Sequence, residues 1–227
     1  MNRALKGVFW TFGAYVGLQV AARLIRRRWP TPLPATLSWL SSRPLALRMP
    51  DVPWIRDALE LERGMHVLAM GAGLAALCEP IAVAVGTEGR LVVSDRSEAM
   101  LHRLVERVGE LTNLTTVAAD PRELPCADGM FDRILLGSGL GGVPEPARVL
   151  REVFRLLKPR GQLVVAEDAL DLDFLSERTV TTLALRAGFT LCARQGGAWR
   201  YLLVFERPPA PTYLHAPHEE HRIETYG

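Results

Sequence analysis

Cysteine is scarce in this 227-residue chain: only Cys78, Cys126 and Cys192 occur, far apart and in no CxxC pair. That excludes a disulfide scaffold, offers no zinc-ligand spacing, and fits a reduced, cytosol-facing setting. Acid is missing altogether from residues 1–50, which carry Arg3, Lys6, Arg23, Arg26, Arg27, Arg28, Arg43 and Arg48. The segment holds +8, while the remaining nineteen basic residues stand against all 25 acids, a balance of −6. A basic head on an acidic body speaks against a nucleic-acid-binding domain and for an N-terminal segment near anionic lipid. At 48% hydrophobic and 23% charged residues the chain is neither disordered nor fibrous, and it is long enough for one α/β domain with a short extra element.

From Gly7 to Ile25 the chain reads GVFWTFGAYVGLQVAARLI, with Arg23 its one charge. Nineteen helical residues span roughly 28 Å, close to the hydrocarbon thickness of a bilayer. The heavier basic flank, Arg23 to Arg28, follows the run and so predicts that the body lies on the cytoplasmic side. A cleaved signal peptide is disfavoured by those arginines directly after Val20-Ala21-Ala22, and a helix lying flat lacks a polar face between Gly7 and Leu18. Residues 1–28 therefore read as a membrane anchor. Residues 29–50 contain five prolines and no acid, and read as an extended linker.

Beyond residue 50, apolar strand-like and helix-like runs alternate. Strands are expected at His66–Met70, Leu91–Ser94, Thr115–Ala118, Arg133–Leu136 and Leu163–Glu167, with helices over Leu74–Val85, after Ser97, over Pro144–Leu157 and over Phe174–Ala187. Two final strands, Thr190–Arg194 and Trp199–Glu206, flank Gln195-Gly196-Gly197 and predict a hairpin. The expected fold is α/β over residues 51–207: a doubly wound, mostly parallel seven-stranded sheet with an antiparallel edge hairpin, preceded by one transmembrane helix. Residues 208–227 lack apolar periodicity and read as a polar tail. His215, His218 and His221 recur there every third residue, but no metal site is assigned.

In such sheets a ligand sits beyond the carboxyl ends of the strands. Those ends carry Gly71-Ala72-Gly73, Asp95-Arg96, Asp120 and Gly137-Ser138-Gly139. The paired glycines allow close backbone approach, and a carboxylate ending the second strand suits a ribose diol. Asp120 has the chemistry to accept from an exocyclic adenine amine. The same acids also have plainer readings, Asp95 as a helix N-terminal charge and Asp120 as a turn residue before Pro121.

The order of these motifs resembles the Rossmann-like S-adenosylmethionine-dependent methyltransferases, in particular the ubiquinone/menaquinone-biosynthesis-like group. The stretches that carry the likeness are HVLAMGAGLA, LVVSDRSEAML, NLTTVAADPRELPCADGMFDRILL and VLREVFRLLKPRGQLVVAE, within about residues 60–206. The resemblance implies S-adenosylmethionine as cofactor, with Gly71, Ala72, Gly73, Asp95, Arg96, Asp120 and Gly137 as its contacts: glycines at the methionine part, Asp95 at the ribose, Asp120 at the adenine. The chain departs from that pattern at Ala69 (usually an acid), Ala75 (usually glycine), Arg96 (usually apolar) and Arg160 (usually glycine). No catalytic residue is assigned. The loop GSGLGGVPEP has no histidine, and Glu167, Asp168, Asp171 and Asp173 form an acidic group whose plainer role is a solvated loop.

Two functions are expected from this reading. One is a membrane-anchored methyltransferase acting on a lipophilic small molecule at the cytoplasmic surface. The other is a non-catalytic methyltransferase-like subunit of a membrane protein complex. A nicotinamide dehydrogenase does not fit the fourth-strand motif.

Overall fold

The fold is given by a computed structural model that describes residues 51–209, apart from Ser138, Leu170 and Leu172. The expected membrane anchor, the linker and the three tail histidines lie outside the described residues. Among the described residues no helix is long and apolar enough to cross a membrane.

The elements are α1 (Asp51–Ala58), β1 (His66–Met70), α2 (Ala75–Val85), β2 (Arg90–Asp95), α3 (Glu98–Val108), β3 (Leu114–Ala118), β4 (Phe131–Leu136), α4 (Pro146–Leu156), β5 (Leu157–Asp168), α5 (Glu177–Arg186), β6 (Thr190–Gly197) and β7 (Arg200–Glu206). Short 3-10 turns, Ala72–Leu74 and Leu140–Gly142, follow β1 and β4. The seven strands form one sheet in the order β3-β2-β1-β4-β5-β7-β6. Strands β1 to β5 pair in parallel, β7 is antiparallel to β5, and β6 is antiparallel to β7. β7 is therefore the reversed strand. β6, at the edge, points the same way as the parallel set.

The continuous apolar runs of the central strands follow from burial on both faces. Alternate residues point to opposite sides. Leu68, Met70, Leu136, Leu163 and Val165 join Val149, Leu150, Val153 and Val180 under α4 and α5. On the other face Val67, Ala69, Leu91 and Val93 join Leu59, Leu77, Ile81, Leu101 and Leu104 under α1, α2 and α3. Each fully buried side chain of this kind contributes about 1.5–3 kcal/mol. The Ser97 hydroxyl accepts from the Met100 N–H (3.3 Å), which fixes the start of α3.

Several boundaries shift by one to three residues, α5 starting at Glu177 and β4 at Phe131, and two larger departures bear on the sheet. α4 ends at Leu156, and β5 begins at once at Leu157, running through Pro159 and Gly161. The β4–β5 register slips between Phe131 and Arg133, so the residues between Leu157 and Gln162 bulge out. Arg160 there adopts φ +64, a left-handed conformation that a side chain strains, and its N–H donates to the Arg207 carbonyl (2.8 Å). The second departure is β6, which extends to Gly197, so the hairpin turn falls on Ala198 and Trp199.

Arg207 closes the body. Its guanidinium lies 4.8 Å from the centre of the Phe154 ring, and its Nη1 donates to the carbonyls of Phe154 (3.0 Å), Arg155 (3.2 Å) and Leu157. These carbonyls at the end of α4 would otherwise have no helical partner.

Candidate functional site

β1 ends on Gly71, whose φ of +105 only glycine adopts without strain, and whose N–H donates to the Ser94 carbonyl (2.7 Å). This turn opens a cavity of about 210 Å³ beyond the carboxyl ends of β1, β2 and β4. Gly71, Asp95, Arg96 and Gly137 all line it. Its apolar wall is Leu136, Leu140, Val143 and Val149. Of these, Val149 follows from the helical periodicity of α4, whereas Leu140 and Val143 sit in a loop where no period could flag them.

The other expected contacts fall differently. Gly73 and Asp120 are not among the lining residues. Leu74 packs against Gly137 so closely that a Cβ there would come within 2.7 Å of Leu74 Cδ2. Asp120 is held by Arg122 instead: Arg122 Nη2 donates to Oδ2 (2.7 Å), while Nε (3.0 Å) and the Arg122 N–H (2.9 Å) both donate to Oδ1. The Arg122 guanidinium keeps the Asp120 carboxyl down at about 2. Pro121, which lines the cavity beside it, has no N–H and offers apolar surface alone.

At β2 the Ser97 N–H donates to Asp95 Oδ1 (2.8 Å), turning the carboxylate at the cavity edge. Arg96 follows it, and its charge also acts on Asp120. Ala69, where an acid was the expected family residue, is only 1% exposed. It belongs to the core under α2, on the face opposite Met70, and does not reach the cavity.

The acidic residues at the end of β5 and just after it separate into distinct environments. Glu167 is 2% exposed and sits on the same face as Leu163 and Val165. Its carboxylate accepts from the Leu175 N–H (3.4 Å) through Oε2, while Oε1 has no hydrogen-bond partner. Burial, and then the charges of Asp171, Asp173 and Asp168, push Glu167 up to about 9, so it holds a proton at neutral pH. The Tyr201 hydroxyl donates to the Leu175 carbonyl (2.7 Å), fixing the loop above it. Asp168 instead accepts from Arg200 Nε (3.0 Å). Asp173 lies against Gly141 and Gly142, joining the loop after β5 to the one after β4.

A larger, shallower groove of about 800 Å³ runs outside the strand ends, between α4 and the loop before β4, and carries Arg122, Arg148, Arg151 and Arg155. Three of these arginines pair with acids: Arg122 with Asp120 and Glu145, Arg148 with Glu123, and Arg155 with Glu152 and Asp128. The groove therefore offers little net positive charge. Burial pushes the Cys78 thiol up to about 12, so it is no nucleophile at neutral pH. Among the described residues no group of three His, Cys, Asp or Glu side chains is placed to hold a metal ion.

Strand order, the reversed β7, and a cavity closed by Gly71 and Asp95 define the class I methyltransferase fold. A solved S-adenosylmethionine-dependent methyltransferase from Aquifex aeolicus superposes with a TM-score of 0.61 at 22% identity, covering 69% of this chain and 89% of that one. Residues 53–179, more than half of the chain, match the ubiE/COQ5 methyltransferase family, and the chain belongs to that family. A demethylmenaquinone methyltransferase of Listeria welshimeri is 38% identical over 117 residues, covering 49% of this chain and 50% of the relative. A ubiquinone/menaquinone biosynthesis C-methyltransferase of Yersinia enterocolitica is 36% identical over 114 residues, covering 49% and 45%. The chain spans about half the length of the curated relatives it matches. The cofactor that this family supports is S-adenosylmethionine. Its lining has chemistry that such a cofactor would use: the Asp95 carboxylate could accept from a sugar diol, Gly71 leaves the backbone open to close approach, and Leu136, Leu140, Val143 and Val149 offer apolar surface.

Proposed function

We propose that this protein is a membrane-attached, S-adenosylmethionine-dependent methyltransferase whose acceptor is a lipophilic quinone-type ring. The observation that carries the reading is Asp95 at the edge of the strand-end cavity, in a chain of the ubiE/COQ5 family. The acceptor class comes from the relatives, which are named for demethylmenaquinone and for ubiquinone/menaquinone biosynthesis. Membrane attachment comes from the apolar run Gly7–Ile25 and its arginines, which also put the body on the cytoplasmic side. Attachment would raise the effective concentration of a small enzyme near a lipid-dissolved acceptor.

The bound cofactor supplies an electrophilic methyl group on a positively charged sulfur. Asp95 holds the sugar, Gly71 admits the chain of the cofactor against the backbone, and the apolar wall excludes water from the base.

A second reading, a non-catalytic subunit of a membrane complex, draws on two observations. Asp95 is the one carboxylate among the cavity-lining residues, and Asp120 is already committed to Arg122. Calorimetric titration of S-adenosylmethionine into the detergent-solubilised full chain separates the two. Micromolar binding, weakened at least about tenfold by Asp95→Ala, supports the enzyme. Methyl transfer to a short-chain demethylmenaquinol would then test the acceptor. A folded protein that binds no cofactor at millimolar concentration leaves the non-catalytic reading.

A further inference from the structure

α1 lies against the sheet and runs opposite to its parallel strands. Midway along it, Trp54 Nε1 donates to Gln195 Oε1, close to the end of β6; just past its end, the Leu59 carbonyl accepts from Arg133 Nε (2.8 Å), near the start of β4. Since β6 points the same way as the parallel strands, the start of α1 faces the carboxyl-end rim, where the cavity opens. The linker of residues 29–50 therefore joins the body at that rim, through Asp51.

The same rim carries Trp199, at the tip of the β6–β7 hairpin and 80% exposed, the most exposed of the large apolar side chains described. The tip is firmly built. The Trp199 carbonyl accepts from the Ala169 N–H (2.7 Å), and Arg200 Nε donates to Asp168 Oδ2 (3.0 Å). Gly196 turns at φ +90 with the Arg200 carbonyl so near that a Cβ would meet it at 2.4 Å. Its neighbours Gly197 and Ala198 are too small to shield the indole ring.

A tryptophan held this way has an apolar body and a polar N–H, the combination that favours the headgroup level of a bilayer. Of the acids near the tip, Asp168 is paired with Arg200 and Glu177 with Arg194, Glu167 and Asp171 are buried, and Asp173 lies against Gly141 and Gly142. A 22-residue proline-rich linker reaches up to about 70 Å, so a tether of that length holds the body near a membrane without orienting it. A second contact orients it.

We propose that Trp199 is that second contact: the β6–β7 tip seats in the headgroup region of a lipid bilayer and turns the cavity rim toward the membrane. The inference rests on the membrane attachment proposed above. It implies that the acceptor reaches the cavity from the lipid side.

The test uses the full chain reconstituted into phosphatidylcholine/phosphatidylglycerol vesicles, with and without brominated phosphatidylcholine. The emission of Trp199 is read as the difference between the native protein and Trp199→Phe, whose unchanged far-UV circular dichroism shows that the fold is kept. The expected result is at least a roughly twofold loss of the Trp199 emission in brominated vesicles, together with protection from aqueous iodide. If the chain floats with the vesicles while Trp199 stays open to iodide and untouched by bromine, the orientation inference is overturned and membrane attachment stands. If the chain does not associate with vesicles at all, both fall.

Discussion

Replacing Glu167 by glutamine should change how stability depends on pH. In the folded protein burial and three neighbouring aspartates raise this carboxyl from 4.5 to about 9, whereas in the unfolded chain it titrates near its ordinary value. Between those values the folded state holds a proton that the unfolded state releases. The stability associated with this group is fully present below about pH 4.5 and is lost progressively as pH rises, at about 1.4 kcal/mol per pH unit. By pH 7 the loss amounts to about 3 kcal/mol, a large share of the stability of a domain this size. Glu167→Gln preserves shape and neutrality and removes the titration. Urea unfolding of the full chain in a mild non-ionic detergent, followed by circular dichroism from pH 5 to 8.5, should show the variant gaining on the native protein at every step upward. A fixed offset between the two proteins can have either sign, because a buried amide has its own unpaired group. The slope of the difference decides. A difference constant with pH would mean that Glu167 is ionised at neutrality, and the proton-holding role assigned to it would be refuted.

Arg160→Gly should stabilise the body by about 1 kcal/mol, because φ +64 costs glycine nothing and the N–H bond to the Arg207 carbonyl is kept; a rise of a few degrees in melting temperature checks it. Arg122→Met should release Asp120, whose carboxyl then titrates near its ordinary 3.8 instead of about 2. In the native protein the pairing holds above the ordinary value and fails only as pH falls through about 2. Carboxyl titration by NMR at pH 2–5 distinguishes the two proteins, and coincident curves would show that the clamp does not form in solution.

Much of the sheet was legible because β1, β2 and β4 are short apolar runs bounded by glycine or acid, the pattern of strands buried on both faces. β6 was only half legible: all eight of its residues are exposed, so no burial pattern marks where Gln195, Gly196 and Gly197 continue the pairing with β7. The start of β5 was misread because Pro159 and Gly161 are local stop signals, while the pairing of Leu157 with Phe131 is a tertiary fact. In the site, Gly71, Asp95, Arg96 and Gly137 came together at the places strand order assigns them. The fate of Asp120 was hidden, although an arginine two residues on, after a proline, is a local signal for such a clamp. The acids after β5 looked alike in sequence. Strand alternation alone separates them, since Glu167 shares the inward parity of Leu163 and Val165 and Asp168 does not.

The knot of bonds around Arg207 sets how far the chain can be trimmed. A chain that keeps Arg207 keeps the whole knot, including its contact with the Phe154 ring and its bond to Arg160. One residue earlier the outcome reverses. A chain ending at Glu206 takes the Arg207 donor from the carbonyls of Phe154 and Leu157, leaves Arg155 only its bond from the Gly129 N–H, exposes the Phe154 ring, and strips Arg160 of the acceptor that holds its strained turn. Anyone engineering this protein should keep Arg207 in place.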